Sequence, residues 1–166
     1  IGVLGEIGDP RVIGALMEIC REEGEDEKSA EARRAAVIAL RKTMLKPGMM
    51  DETTKEGVIE LFKEVISNDS DMAVRMSASG ALKKLGVDVV ELWLSVLNDS
   101  SADMRFLAAQ ILGDLGNELG DERVVGPLLQ FLSTETRDLP RRRVVMLLGN
   151  FAESLPEGDR AIIVDT

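Results

Sequence analysis

Histidine and tyrosine are both missing from this 166-residue chain, cysteine and tryptophan occur once each, and aromatic residues make up only 3% of it. Without histidine there can be no His-containing catalytic triad and no His/Cys zinc site. With Cys20 alone there is no disulfide within the chain and no CxxC redox pair. Long apolar runs are scarce too: the stretch from Val144 to Leu148 falls far short of the roughly 20 residues that a bilayer span needs. The opening residues IGVLGEIGDP contain neither a basic n-region nor an extended apolar h-region, so no signal peptide is expected. Basic side chains are outnumbered 20 to 30, for a net charge of -10, which makes nucleic acid and anionic membranes poor default partners. What the chain does have is a 45% hydrophobic share spread along its length. That favours one packed domain over 1–166 in a cytoplasmic setting rather than a disordered acidic tail.

The chain is also self-similar. Residues 73–86 overlay 103–116 at a constant offset of 30, pairing Arg75 with Arg105, Ala78 with Ala108, Leu82 with Leu112 and Leu85 with Leu115. The same template fits Arg33, Ala36 and Leu40, then Arg141, Val144 and Leu148, with a truncated copy at Leu4 and Gly5. A second element precedes it in each unit: the block Gly8 to Met17 matches Gly120 to Leu129 almost position for position. Apolar residues at i, i+3, i+4 and i+7 in both elements set a helical period, and no alternating strand pattern competes with it. The units are therefore expected to be helix pairs at about 9–45, 52–86, 87–118 and 120–154, with partial repeats at 1–8 and 157–166. First helices are predicted near 10–22, 53–67, 88–97 and 121–133, and second helices near 31–45, 71–86, 102–118 and 139–154. Asp and Ser in 68–71 and 98–101 supply N-cap chemistry, and Gly86 and Gly116 suit left-handed C-caps.

The Gly-Asp-Pro-Arg-Val-Ile block at 8–13, its partner at 120–125, and the Val-Arg-x-x-Ala and Ala-Leu-x-x-Leu-Gly patterns in 74–86 resemble HEAT repeats of the short type named after the phycobilisome lyases. The resemblance spans nearly the whole chain and implies an all-α fold, a right-handed α-α superhelix of about four helix pairs. Such pairs cannot bury their apolar stripes alone and must stack. The hydrophobic ends, including Ile162, Ile163 and Val164, read as cuts through a longer solenoid. The acidic run 22–27 departs from the compact pattern. It lacks the ordered ligands of a calcium loop and reads as a solvated tip.

By the same resemblance, Asp69 and Asp99, each six residues before Arg75 and Arg105, correspond to a structural Asp/Arg ladder between units, and the second helices line a concave face. Helical spacing then nominates Arg34, Ile38, Arg41, Met76, Lys83, Phe106, Gln110, Arg142 and Met146 as its partner-binding positions, extended by Lys42, Leu107 and Arg143. The second helices carry more basic than acidic side chains and the remainder is strongly acidic. Arginine, methionine and aromatic anchors on such a face suit another protein, or an acidic or amphipathic peptide segment. Trp93 and Phe62 fall on apolar faces and are expected in the core, and Cys20, aligned with Leu132, as a small buried hydrophobe.

The leading expectation is thus a non-catalytic protein-interaction scaffold with no catalytic, metal or cofactor residues, no nucleic acid and no membrane. The second is a bilin-lyase-like subunit or chromophore chaperone, which the resemblance alone allows. A deoxyhypusine-hydroxylase role needs His-Glu metal motifs that a chain without histidine lacks. Nucleic-acid binding, as in the HEAT-like alkylpurine glycosylases, rests only on Arg141 to Arg143 and the basic second helices, and ranks third.

Overall fold

The computed structural model describes residues 9–24 and 26–154. The partial repeats expected at 1–8 and 157–166 lie outside them. All regular structure among the described residues is helical. The chain divides into two compact units, Ile1–Val89 and Val90–Thr166.

In the first unit, α1 (Pro10–Arg21) packs on α2 (Glu27–Met44), and α3 (Glu52–Asn68) packs on α4 (Met72–Lys84). The two hairpins join mainly through α2 against α4, with a smaller α1–α3 contact. Their shared core is apolar and closed: Leu16, Val37, Leu40, Val58, Phe62, Ile66 and Leu82 are all buried. Each start has a side-chain cap. Asp9 accepts from the Arg11 amide, Asp51 from Thr54, and Asp71 from Ala73 and Val74, each cap contributing about 1 kcal/mol. The second helix of the first pair begins at Glu27, four residues before the predicted start. The tail of the acidic run supplies its cap, since Asp26 accepts from the amides of Lys28 and Ser29. At the far end of α4, Gly86 takes φ +76°. The Val87 amide then reaches back to the Leu82 carbonyl and the Gly86 amide to Lys83, a Schellman closure that a β-carbon would strain.

In the second unit, α5 (Val90–Val96) packs on α6 (Ala102–Leu119), and α7 (Val125–Thr134) packs on α8 (Asp138–Ser154), with α6 against α8 as the main joint. Two features differ from expectation. The helix predicted to end near 118 at a glycine cap runs through Gly116 and stops instead at Gly120, φ +65°. Gly116 is there for a close approach: an added β-carbon would lie 2.6 Å from Val124 Cγ2. The helix predicted at 121–133 is broken into a 3-10 turn, Glu122–Val124, followed by α7. Pro127 has no N–H to reach the Arg123 carbonyl and its ring crowds that oxygen, so an α-helical ladder cannot run across it. In the similar block at 8–17 the proline is Pro10, at the first helical position where no N–H is needed, and α1 starts at once. Among the described residues no helix is long and apolar enough to cross a membrane.

Candidate interaction surface

The four aligned arginines close the turns between paired helices. Arg75 donates through Nε to the Asp69 carbonyl. Arg105 donates to the carbonyls of Asp99 at 2.8 Å and Ser100 at 2.9 Å. Arg141 donates to Glu135 at 3.0 Å and also to Leu132. Arg33 reaches the Gly24 carbonyl at 2.7 Å across a longer turn. Each guanidinium thereby satisfies carbonyls left open where a first helix ends. The Asp69 side chain does not face Arg75. It takes a two-pronged bond from Arg33, 2.8 Å from Nε and 3.0 Å from Nη2, and accepts from the Asp71 amide at 2.8 Å. This pair links the first hairpin of its unit to the second, and the carboxylate holds the Arg33 pKa above its ordinary value. The Asp99 side chain accepts from the Ser101 amide at 2.8 Å.

Glu135 was not singled out from the sequence, although it stands six residues before Arg141 as Asp69 and Asp99 stand before Arg75 and Arg105. That spacing was the available signal. Its buried carboxylate is gripped by Arg137, which also bonds Asp103 at 2.7 Å and the Ala102 carbonyl at 2.7 Å on α6. The Arg137 bonds hold the Glu135 pKa down at about 2, against an ordinary 4.5. A depressed carboxylate stabilises the fold above its unfolded pKa and loses that contribution as pH falls through the folded value. In urea titrations, the stability gap between wild type and Glu135→Gln should be widest above pH 4.5 and close as the pH falls towards about 2. A gap independent of pH would show that the charge of Glu135 contributes nothing to the turn.

The nominated partner-binding residues fall in both units. On α2 and α4, Arg34, Met76 and Lys83 are exposed, and Ile38 and Arg41 are half-buried. On α6 and α8, Arg142 and Met146 are exposed, Phe106 and Gln110 half-buried. Of the residues taken to extend the face, Lys42 is exposed and Arg143 half-buried, whereas Leu107 is buried in the core. Arg34 lines a shallow hollow of about 290 Å³ between the first turns of α2 and α4, with Glu27, Glu31 and Asp71 around it. The local surface is therefore of mixed charge rather than uniformly basic.

Exposed large apolar side chains are unevenly placed. Among the described residues they are Leu45, Met72, Met76, Leu119, Leu139, Val145 and Met146. Each lies on α2, α4, α6 or α8 or at its immediate end. A wider cleft of about 750 Å³ opens at the opposite kind of edge, where α1 and α3 end, lined by Cys20, Glu22, Glu23, Arg33, Glu64 and Asp69 among others. Its chemistry is committed to structure. Arg33 and Asp69 are bonded to one another, and burial pushes the Cys20 thiol up to about 12, leaving it protonated at neutral pH and a poor nucleophile. The carboxylates displaced from their ordinary range, Asp9, Asp26, Asp51, Asp121 and Glu135, are all lowered, chiefly by the arginine, hydroxyl or amide groups they bond. A general acid working near pH 7 needs the opposite shift. Among the described residues no group of three or more Asp, Glu, Cys or His side chains could hold a metal ion.

The fold and surface together define, over the described residues, an all-helical arrangement of packed hairpins within each unit. No protein-family model and no curated protein matches the chain.

Proposed function

We propose that the chain is a HEAT-like, right-handed α-α superhelix that acts in the cytoplasm as a non-catalytic scaffold, binding another protein through its second helices, α2 and α4 in the first unit and α6 and α8 in the second. The observation that carries this reading is the segregation of exposed large apolar side chains onto those helices and their ends. Scattered single hydrophobes are normal on any surface, but their confinement to one class of helix is what a binding face requires. Arginines stand among them at Arg34 and Arg142, and methionine, arginine and aromatic side chains are the types that anchor interfaces. The partner suited to this mixture is an amphipathic segment bearing carboxylates.

A photo-crosslinking residue at Met76 or Met146 should capture the partner, while one at Glu60 on the exposed side of α3 should not. Against the partner so identified, Arg34→Glu, Arg142→Glu and Phe106→Ala should each weaken binding about tenfold, or about 1.4 kcal/mol. Equal capture from Glu60, or unchanged affinity in all three variants, would overturn the assignment of the face.

A further inference from the structure

The seam between paired second helices is closed differently in the two units. In the second unit shape closes it: a β-carbon added to Gly113 of α6 would lie 2.6 Å from Leu147 Cδ1 of α8, and Asn117 donates to the carbonyls of Gly113 and Leu147. The repeat aligns Gly113 with Arg41, Leu147 with Ala81 and Asn150 with Lys84. In the first unit the small residue is therefore on α4, and an arginine holds the place that glycine has on α6. Helices α2 and α4 run side by side in one direction, since their first turns share the hollow lined by Arg34, Asp71 and Ala73. Arg41 thus stands across the seam from the fully buried Ala81, and Lys84 follows one turn on, exposed.

This end of the seam is cationic and holds no anion. From Ala32 to Met50 and from Met72 to Val87 the chain contains no Asp or Glu, whereas α6 alone carries Asp103, Asp114 and Glu118. The acids that open α3 are committed locally: Asp51 accepts from the Thr54 amide, and Glu52 pairs with Lys55 at 2.6 Å. Arg41 Nε is buried and has no acceptor. A buried arginine N–H without an acceptor is costly, and a carboxylate is the acceptor that suits it best. Favourable charge at a helix end does not account for the cluster, because the last turns of α6 and α8 hold no basic residue. One turn before Lys84 the surface is also low, since nothing lies within 4 Å of a β-carbon built on Gly80.

We propose that the Arg41–Lys84 end of the α2–α4 seam is an anion slot that takes carboxylates from an acidic peptide segment of another protein. Arg41 meets a carboxylate with its planar fork, and Lys84 adds a point charge beside it. Lys42 and Lys46, exposed at the same end of α2, extend the positive field. The complement is a run of Asp or Glu rather than a single acid. The inference rests on the scaffold reading for the class of partner and adds where the partner's acidic block lies.

The probe is a fluorescein-labelled peptide with two leucines followed by a run of glutamates, compared with a twin carrying glutamine for glutamate. Titrated with the full chain and followed by anisotropy, the glutamate peptide should bind about tenfold more tightly than its twin and weaken as salt is added. Arg41→Gln and Lys84→Gln should each lower its affinity about fivefold, with the twin unaffected and the circular dichroism unchanged. Lys28→Gln, which removes the same charge from the first turn of α2, should leave the affinity as it is. If Arg41→Gln fails to fold, the exposed Lys84 decides alone. Equal affinity for the two peptides, full affinity in the slot variants, or an equal loss in Lys28→Gln overturns the proposal. So does tighter binding of a single-stranded oligonucleotide of the same charge, or a dimer in sedimentation that Lys84→Gln dissociates, since the occupant would then be a nucleic acid or a second copy. Full affinity in the slot variants together with selective crosslinking at Met76 removes the slot and leaves the scaffold reading standing. Crosslinking as strong from Glu60 removes the scaffold reading itself.

Discussion

Replacing Asp69 by alanine is expected to remove about 3–5 kcal/mol of folding stability, the range seen when one partner of a buried ion pair is deleted. Arg33 is only 3% exposed at its side chain and Asp69 only 5%. Alanine would leave the guanidinium buried with two of its N–H groups facing nothing and would also strip the Asp71 amide of its acceptor. The remaining bonds from Arg33 Nη1 to the carbonyls of Gly24 and, at 3.5 Å, Glu22 satisfy one edge of the fork and cannot neutralise the charge. Set against a typical domain stability of roughly 5–15 kcal/mol, a loss of that size brings the chain close to unfolding at ambient temperature. The size of the loss does not mean that the pair itself contributes as much, because both ions gave up water to be buried. The double variant Arg33→Met with Asp69→Ala should accordingly recover most of what the single variant loses. Urea unfolding of wild type, both single variants and the double variant closes the cycle. If Asp69→Ala cost under 1 kcal/mol, the pair would be behaving as a solvated surface contact and the link between the two hairpins would have to be sought in aliphatic packing alone.

The Arg33–Asp69 pair also marks how far the sequence could be read. The arginine register was legible, because Arg33, Arg75, Arg105 and Arg141 share a position relative to Leu40, Leu82, Leu112 and Leu148, and a repeated residue at a repeated place has a repeated job. Which carboxylate faces which arginine was not. A spacing of six between Asp69 and Arg75 suggests a local partner, yet only the aspartate's carbonyl is local, while its side chain crosses to a helix 36 residues back. Helix positions followed from apolar periodicity, which burial enforces. Helix ends depended on single residues whose roles sequence does not distinguish. Gly86 and Gly116 occupy the same place in the template, but one is glycine for its positive φ and the other for want of space beneath Val124. Of the nominated surface, Arg34, Met76 and Met146 are exposed, whereas Leu107 is drawn into the core of the second unit. A helical wheel gives the angle of a side chain and not the depth of the neighbour it meets. The exposure of Val145 was beyond reach for the same reason, since Val37, Ser79 and Ala109, its equivalents on the other second helices, are buried.

Trp93→Ala should cost a similar amount, about 3–5 kcal/mol, as expected for removing a large aromatic side chain from a closed core. Trp93 has no exposed surface, and with Val90 and Val96 it makes up the buried side of α5. A helix of seven residues has too few internal hydrogen bonds to persist without tertiary support. What holds α5 against α6 is therefore its buried face, and the indole is by far the largest part of it. Trp93→Phe keeps a ring in the same space and should lose markedly less, whereas alanine leaves a cavity that seven residues of helix can close only by shifting bodily. Trp93 is the sole tryptophan, so wild-type emission should be blue-shifted and move to the red on unfolding. The variants must be followed by circular dichroism. Native-state hydrogen exchange separates two outcomes that a urea curve merges. If α5 depends on this side chain, the amides at its carboxyl end, where Leu97 and Asn98 bond back to Trp93 and Ser95, should lose protection in Trp93→Ala well before the amides of α6 do. Equal protection loss across both helices would mean that α5 and α6 open as one body, and that the indole stabilises the second unit as a whole rather than fastening its shortest helix.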